Sequence, residues 1–209
     1  MLIIEKIEKS TEELILDAAT EVFTRKGFAA ARTEDIAKQA GINRALLHYY
    51  YRDKQSIFNI IFETRFKEFF HGLFVIFEAD DLPFSEKLRR MVDHEIGTLM
   101  KHPDLARFII TEVGQNPERL LEYGKKLGVN PRILLDTFEK QVELETRKGM
   151  IRSIQGRQLL MNIMSLCIYP FVAKPILQTM MQLNEVSFSE MMEARKKEVY
   201  DFIINAIRK

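Results

Sequence analysis

Apolar residues recur at spacings of three and four along nearly the whole chain, and nowhere do they alternate with polar ones at the period of two that a half-buried strand needs. Leu14, Ala18, Ala19, Val22 and Phe23 form the first series. Ser10 and Glu13 stand before it in the S-x-x-E form of a capping box, and Gly27 stands after it as a stop. The spacing predicts a helix over 11–26. Thr33 is read as the cap of a short helix over 34–40 that ends at Gly41, and Asn43 as the cap of a second over 44–50. Asp53 opens a long helix carrying phenylalanines at 58, 62, 66, 69, 70, 74 and 77, up to the break at Leu82-Pro83. Further helices are predicted over 85–101, 104–113, 117–127 and 131–149, with Pro103, Pro117 and Pro131 at or near their first turns. The segment 154–182 is apolar almost all round through Ile168 and then carries Pro170 and Pro175. Ser187 with Glu190 reads as another capping box, opening a last helix to about Ile207. The fold class is therefore all-α, with nine or ten helices and no sheet.

Composition narrows the class without changing it. Of 209 residues 46% are apolar and 29% charged, enough apolar mass for a packed core. Nine glycines and six prolines are too few for collagen-like or turn-dense all-β designs. A single cysteine, Cys167, excludes an internal disulfide scaffold and makes a reducing cytoplasm the expected location. The first apolar run, Leu2 to Ile4, is far too short for a signal core. No window reaches the roughly 18 uncharged apolar residues of a spanning helix, so no membrane association is expected.

The net charge of +1 says nothing about nucleic acid, but its distribution does. Between Arg25 and Lys54 seven basic residues stand against three acidic ones, a local +4, whereas residues 1–24 hold two basic and six acidic ones, a local −4. The positive stretch contains TEDIAKQAGINRALLHYYYR, residues 33–52: two helices of two turns joined by Ala40-Gly41-Ile42. Helices this short do not persist alone in water. Ile36, Ala37, Ala40, Ile42 and Leu47 supply an inward face to be pinned by the first helix. A short helix, a glycine turn and a second short helix is the helix-turn-helix plan.

Residues 10–58 resemble the DNA-binding domain of the TetR family of bacterial transcriptional regulators. The residues that carry the resemblance are Ala19, Phe23, Gly27, Phe28, Thr33, Ile36, Ala37, Ala40, Gly41, Ile42, Ala45, Leu47, Tyr50 and Lys54. Asn43, His48 and Tyr51 depart from the usual Ser or Thr, Tyr and Phe. The resemblance implies a three-helix helix-turn-helix domain over 1–53 and a larger helical effector-binding and dimerisation domain over 54–209. It implies a homodimeric, ligand-responsive repressor on a palindromic double-stranded DNA operator. The alternative is an architectural DNA-binding protein of the same fold with no effector.

Roles follow for individual residues. Thr33, at the start of the second helix, and Asn43, at the start of the third, belong to the DNA-binding set. Arg44 opens the recognition helix and is the candidate for a bidentate contact to guanine. Ala45 is small enough to admit a thymine methyl, and His48 lies one turn on along the same face. Tyr49, Tyr50 and Lys54 are expected on backbone phosphates, and Tyr51 in the core. Phe66, Phe70 and Phe74, with Met161 and Met164, are candidates for the wall of a pocket for a small apolar or aromatic effector; plain core packing is the alternative. Arg65, His94, Glu112 and Asn162 are candidate polar groups of that pocket. In the all-round apolar stretch 159–168, Ile163, Leu166 and Cys167 are candidates for the dimer interface. The histidines at 48, 71, 94 and 102 show no paired ligand spacing and there is one cysteine, so no metal, cofactor or catalytic set is expected.

Overall fold

A computed structural model of the chain describes residues 10–103, 105–108, 110, 114 and 117–209. Among these residues every regular element is a helix, as the spacing predicts. The helices are α1 Thr11–Ala30, α2 Thr33–Gln39, α3 Arg44–Tyr50, α4 Lys54–Glu78, α5 Phe84–Lys101, α6 Leu105–Phe108, α7 Glu118–Leu127, α8 Pro131–Arg147, α9 Gly156–Val172, α10 Lys174–Met181 and α11 Glu185–Ile207. The chain divides into two compact units, Met1–Arg65 and Phe66–Lys209.

Most ends are set by the local chemistry that predicts them. The Ser10–Glu13 capping box is present, and Gly27 breaks the regular dihedrals of α1 at φ 75°. Asn43 Oδ1 accepts the Leu46 N–H at 2.8 Å, and Asp53 Oδ1 accepts that of Ser56 at 2.8 Å. Several boundaries differ, α4 ending at Glu78 rather than at Leu82 among them. Thr33 is the first residue of α2 rather than its cap; Arg32 holds the cap position, and its N–H donates to Asp35 Oδ2 at 3.1 Å. The last helix starts earlier because the capping box is Asn184–Ser187, which satisfies the first turn before Ser187–Glu190 could. The segment 154–182 is two helices, α9 and α10, meeting at 72° where Pro175 opens the second.

In the first unit α1 packs on α2 and α2 on α3. Ile15, Ala19, Val22, Ile36, Leu47 and Ile57 are completely buried there. In the second unit α5 lies on α9 and α11, and α8 lies on α9. Phe66, Leu88, Val92, Ile96 and Ile163 have no exposed surface. Pro170 sits inside α9 and has no N–H, so the Leu166 carbonyl one turn back loses its helical donor. Arg195 of α11 replaces it, its Nε donating to Leu166 O at 3.0 Å. No single described helix is long and apolar enough to cross a membrane.

Candidate functional site

The loop between α2 and α3 turns at Gly41, whose φ of 69° places it in the left-handed region where a side chain is strained. Leu47 alone of α3 is buried, and it anchors the helix. Arg44, Ala45, His48, Tyr49 and Tyr50 are all exposed, Tyr49 by 83%. The structure thus places Arg44, Ala45 and His48 on one outward stripe at spacings of one and three. Asn43, also exposed, caps α3 through its Oδ1. Thr33 is half-buried at the start of α2.

Arg44 is already the hub of a polar chain. Its Nη1 is 2.8 Å from Glu34 Oε1, and its Nε donates to His48 Nε2 at 3.3 Å. His48 Nδ1 faces the Arg52 carbonyl at 3.2 Å. An exposed Arg–Glu pair is worth less than about 1 kcal/mol, so Arg44 can exchange Glu34 for a base edge at small cost. Lys26, in contrast, is taken by Asp35 at 2.7 Å, and that ion pair holds the Asp35 carboxyl below its ordinary range. Tyr51 is in the core, its hydroxyl donating to Glu12 Oε1 at 3.1 Å; burial and the Glu12 charge push it up to about 12.

Lys54 is engaged within the protein. Its ammonium donates to the carbonyls of Phe28, Ala29 and Ala31 at 2.8, 3.1 and 3.0 Å, and lies 4.6 Å from the centre of the Phe28 ring. All three N–H donors are engaged. The reason is the break at Gly27: the chain leaves α1 there, and carbonyls 28, 29 and 31 converge on one point. In the free protein Lys54 therefore acts as a structural clamp between α4 and the end of α1. Lys38 and Arg52, which the sequence reading counted only towards the local charge, are exposed cations of this surface.

The second candidate region centres on α4 and α5. Phe66 is fully buried, and its ring lies 4.4 Å from Phe70 and 6.2 Å from Tyr123. Phe69 is 5.3 Å from Phe70 and 6.0 Å from His94. The buried stripe of α4 in this unit is Phe66, Phe69, Leu73 and Phe77, with Phe70 and Phe74 half-buried at its edge. His94 reaches α4 because residue 72 is glycine: a Cβ there would lie 2.1 Å from the imidazole. Its Nε2 meets the Phe69 carbonyl at 2.8 Å. Arg65 belongs to the other compact unit, Asn162 is exposed, and Glu112 lies outside the described residues.

Next to His94 is a group the sequence reading missed. Glu95 has no exposed surface, and neither of its carboxyl oxygens has a hydrogen-bond partner. Burial pushes it up to about 7, with the nearby Cys167 thiol acting in the other direction; burial and Glu95 in turn push that thiol up. A signal was present: Glu95 interrupts the otherwise apolar series Leu88, Met91, Val92, Ile96, Leu99.

On α9 the two methionines and the interface residues exchange places. Ile163 and Cys167 are completely buried in the protomer's own core and Leu166 is half-buried, while Met161 and Met164 are 57% and 39% exposed. The assignment of Ile163 and Cys167 to an interface, and of the methionines to an interior wall beside Phe66, is corrected. The cause is composition: a helix apolar on every side gives no sign of which stripe turns inward. Two cavities, of about 650 and 810 Å³, are lined by residues other than the predicted pocket set.

Comparison with known proteins follows this division. Residues 15–61 match the family model described as bacterial regulatory proteins, tetR family, and residues 85–203 match the tetracyclin repressor-like C-terminal domain. The chain is 29% identical over 125 residues to YhgD of Bacillus subtilis (strain 168), an uncharacterized HTH-type transcriptional regulator. That stretch is 54% of this chain and 65% of YhgD, just under two thirds of its length. It is 27% identical over 161 residues to YttP of the same organism, a probable HTH-type transcriptional regulator, covering 73% of this chain and 76% of YttP. In fold it is similar to the ketosteroid transcriptional regulator KstR2 of Mycobacterium tuberculosis, with a TM-score of 0.72 at 13% identity over 97% of both chains. It is also similar to the transcriptional regulator FadR of Bacillus subtilis in complex with stearoyl-CoA, with a TM-score of 0.59 at 17% identity, covering 90% of this chain and 97% of that one.

Proposed function

The chain belongs to the TetR family of bacterial regulatory proteins, and from that membership we propose that it is a ligand-responsive repressor binding a palindromic operator as a homodimer. One observation carries the reading: α3 offers every residue but Leu47 outward, with Arg44 in its first turn, where a recognition helix meets base edges. Arg44 reads guanine, Ala45 and His48 line the same groove, and Thr33, Tyr49 and Tyr50 hold phosphates with Lys38 and Arg52 beside them. The test is the ratio of operator to random-DNA affinity at fixed salt. Arg44→Ala is expected to lower that ratio by about 1–3 kcal/mol, roughly fivefold to 150-fold. Lys38→Ala is expected to weaken both affinities alike and to flatten the salt slope. An unchanged ratio in Arg44→Ala would remove Arg44 from base reading.

The dimer reading rests on the outward stripes of α9 and α11. Met161, Met164 and Tyr169 stand at helical spacing on the first, Met191 and Phe202 on the second, all exposed in the protomer. A second copy related by a two-fold axis covers such a surface with its own. Light scattering at micromolar concentration is expected to give twice the protomer mass. Met164→Asp is expected to give one protomer mass with the helical spectrum intact, because the side chain is outside the core. Ile163→Asp, by contrast, is expected to unfold the protomer.

We propose that an effector binds at the aromatic cluster of Phe66, Phe70 and Tyr123, with His94 and Glu95 as the polar groups that orient it. The apolar lining suits a hydrophobic or aromatic molecule, the class suggested by the ketosteroid and acyl-CoA named for KstR2 and FadR. A ligand releases DNA to the extent that it prefers the conformation whose heads no longer match major grooves about 34 Å apart. Phe70→Ala is expected to abolish release while leaving operator affinity unchanged.

A further inference from the structure

Within the unit Phe66–Lys209, the start of α5 and the ends of α8 and α11 line a cavity of about 810 Å³ that is open to solvent on one side and does not include the aromatic cluster. Its lining combines two features that rarely meet without cause. The first is a buried cation. Lys87 is 3% exposed, and a lysine buried to that degree ordinarily has a carboxylate beside it. Here the Nζ donates to the Phe77 carbonyl at 3.0 Å, on the last turn of α4, and no described carboxylate lies within ion-pair distance. An ammonium has three donors, so the Phe77 carbonyl leaves two for another acceptor.

The charges around it reinforce the sign. Of the carboxylates lining the cavity, Glu145 is neutralised by Lys148 at 3.0 Å and also accepts from Gln141 at 3.3 Å, and Asp80 is exposed. Against these two stand Lys87, Lys148 and Arg208, a surplus of one positive charge. The first turn of the 18-residue α5 also lines the cavity, and its cap position is Pro83, which supplies no side-chain acceptor for the helix N–H groups. Helix dipole and buried ammonium therefore favour negative charge at the same end of the cavity.

The second feature is an apolar wall. Ile151, Ile204 and Ile207 line the cavity, the first and last of them buried, with exposed Leu144 and Met150 at the mouth. A small inorganic anion would leave this wall unused. We propose that the cavity is a second ligand site, taking an aliphatic monocarboxylate whose head lies between Lys87 and the first turn of α5 and whose chain runs along Ile151, Ile204 and Ile207. The site is independent of the DNA-binding reading and of the effector site at Phe66.

Calorimetric titration of the full chain with octanoate, octanol and octylammonium tests it. Octanoate is expected to bind at least tenfold more tightly than either of the others. Lys87→Gln keeps a donor for the Phe77 carbonyl but removes the charge, and is expected to weaken octanoate at least tenfold while leaving octanol unchanged. Met150→Glu alters an exposed residue that the fold does not need, and is expected to weaken octanoate by a similar factor through repulsion at the mouth. Phe70→Ala is expected to leave octanoate binding unaltered. Equal affinity for octanol and octanoate, no measurable octanoate binding, unchanged binding in Met150→Glu, or its loss in Phe70→Ala would overturn the proposal.

Discussion

Replacing Lys54 by alanine is expected to destabilise the DNA-binding unit as a whole rather than trim its electrostatics. The side chain joins the first residue of α4 to three carbonyls beyond the break in α1, with donor–acceptor distances of 2.8, 3.1 and 3.0 Å. It also covers Phe28, which packs 4.3 Å from Phe58 and 5.7 Å from Phe23. A hydrogen bond to a charged donor contributes about 1.5–3 kcal/mol, and the three share one ammonium, so their loss does not triple that figure. Water can reach part of this half-buried group. A net cost of about 2–4 kcal/mol is expected, a large fraction of the roughly 5–15 kcal/mol that holds a whole domain. Urea melts followed by circular dichroism should show an early transition, with operator and random DNA lost together. If Lys54 were a phosphate ligand instead, the melt would match the wild type and the salt slope would flatten by about one. That second pattern would refute the clamp.

The second large effect runs in the opposite direction. Glu95→Gln is expected to stabilise the protein above neutral pH. The folded carboxyl titrates at about 7, above its ordinary 4.5, because burial penalises the charged form. Between those values the folded state retains a proton that the unfolded chain gives up. Stability therefore falls as pH rises from about 4.5 to about 7 and is level beyond. The difference of 2.5 pH units corresponds to about 3 kcal/mol. Glutamine is neutral throughout, so the variant and the wild type should melt together near pH 4 and diverge to roughly 6–12 °C at pH 8. Coincident profiles at every pH would mean that Glu95 is not an uncompensated buried acid. A stabilising replacement of this kind commonly costs function. Here the expected cost is the response to an effector, because Glu95 is a buried carboxyl without a hydrogen-bond partner next to the proposed effector site.

The helix-turn-helix was legible in the residues themselves. Gly41 must take a positive φ, Asn43 must cap, and Leu47 must anchor two short helices, and each of these requirements is met within a few residues of chain. The exposed recognition stripe followed, because removing Leu47 from a seven-residue helix leaves the rest facing out. The break at Gly27, the break after Leu82 and the helical class of the second unit were local in the same way. Where two local signals competed, as between Asn184–Ser187 and Ser187–Glu190, spacing alone did not choose, and the helix took the earlier cap.

What the sequence could determine by itself was whatever is decided within about four residues: periodicity, caps, turns and the sign of local charge. Tertiary structure decided every role that depends on a distant partner. Lys54 became a clamp because carbonyls 23 to 26 residues earlier converge on it. The carbonyl left without a helical donor by Pro170 was satisfied by Arg195 from another helix. Ile163 and Cys167 went inward and Met161 and Met164 outward on a helix whose composition is nearly the same on every side. Glu95 was left without a partner because packing on α9 and α11 closed around it. Hydrogen-bond geometry and side-chain volume make such choices only when the elements meet, and a linear pattern carries neither.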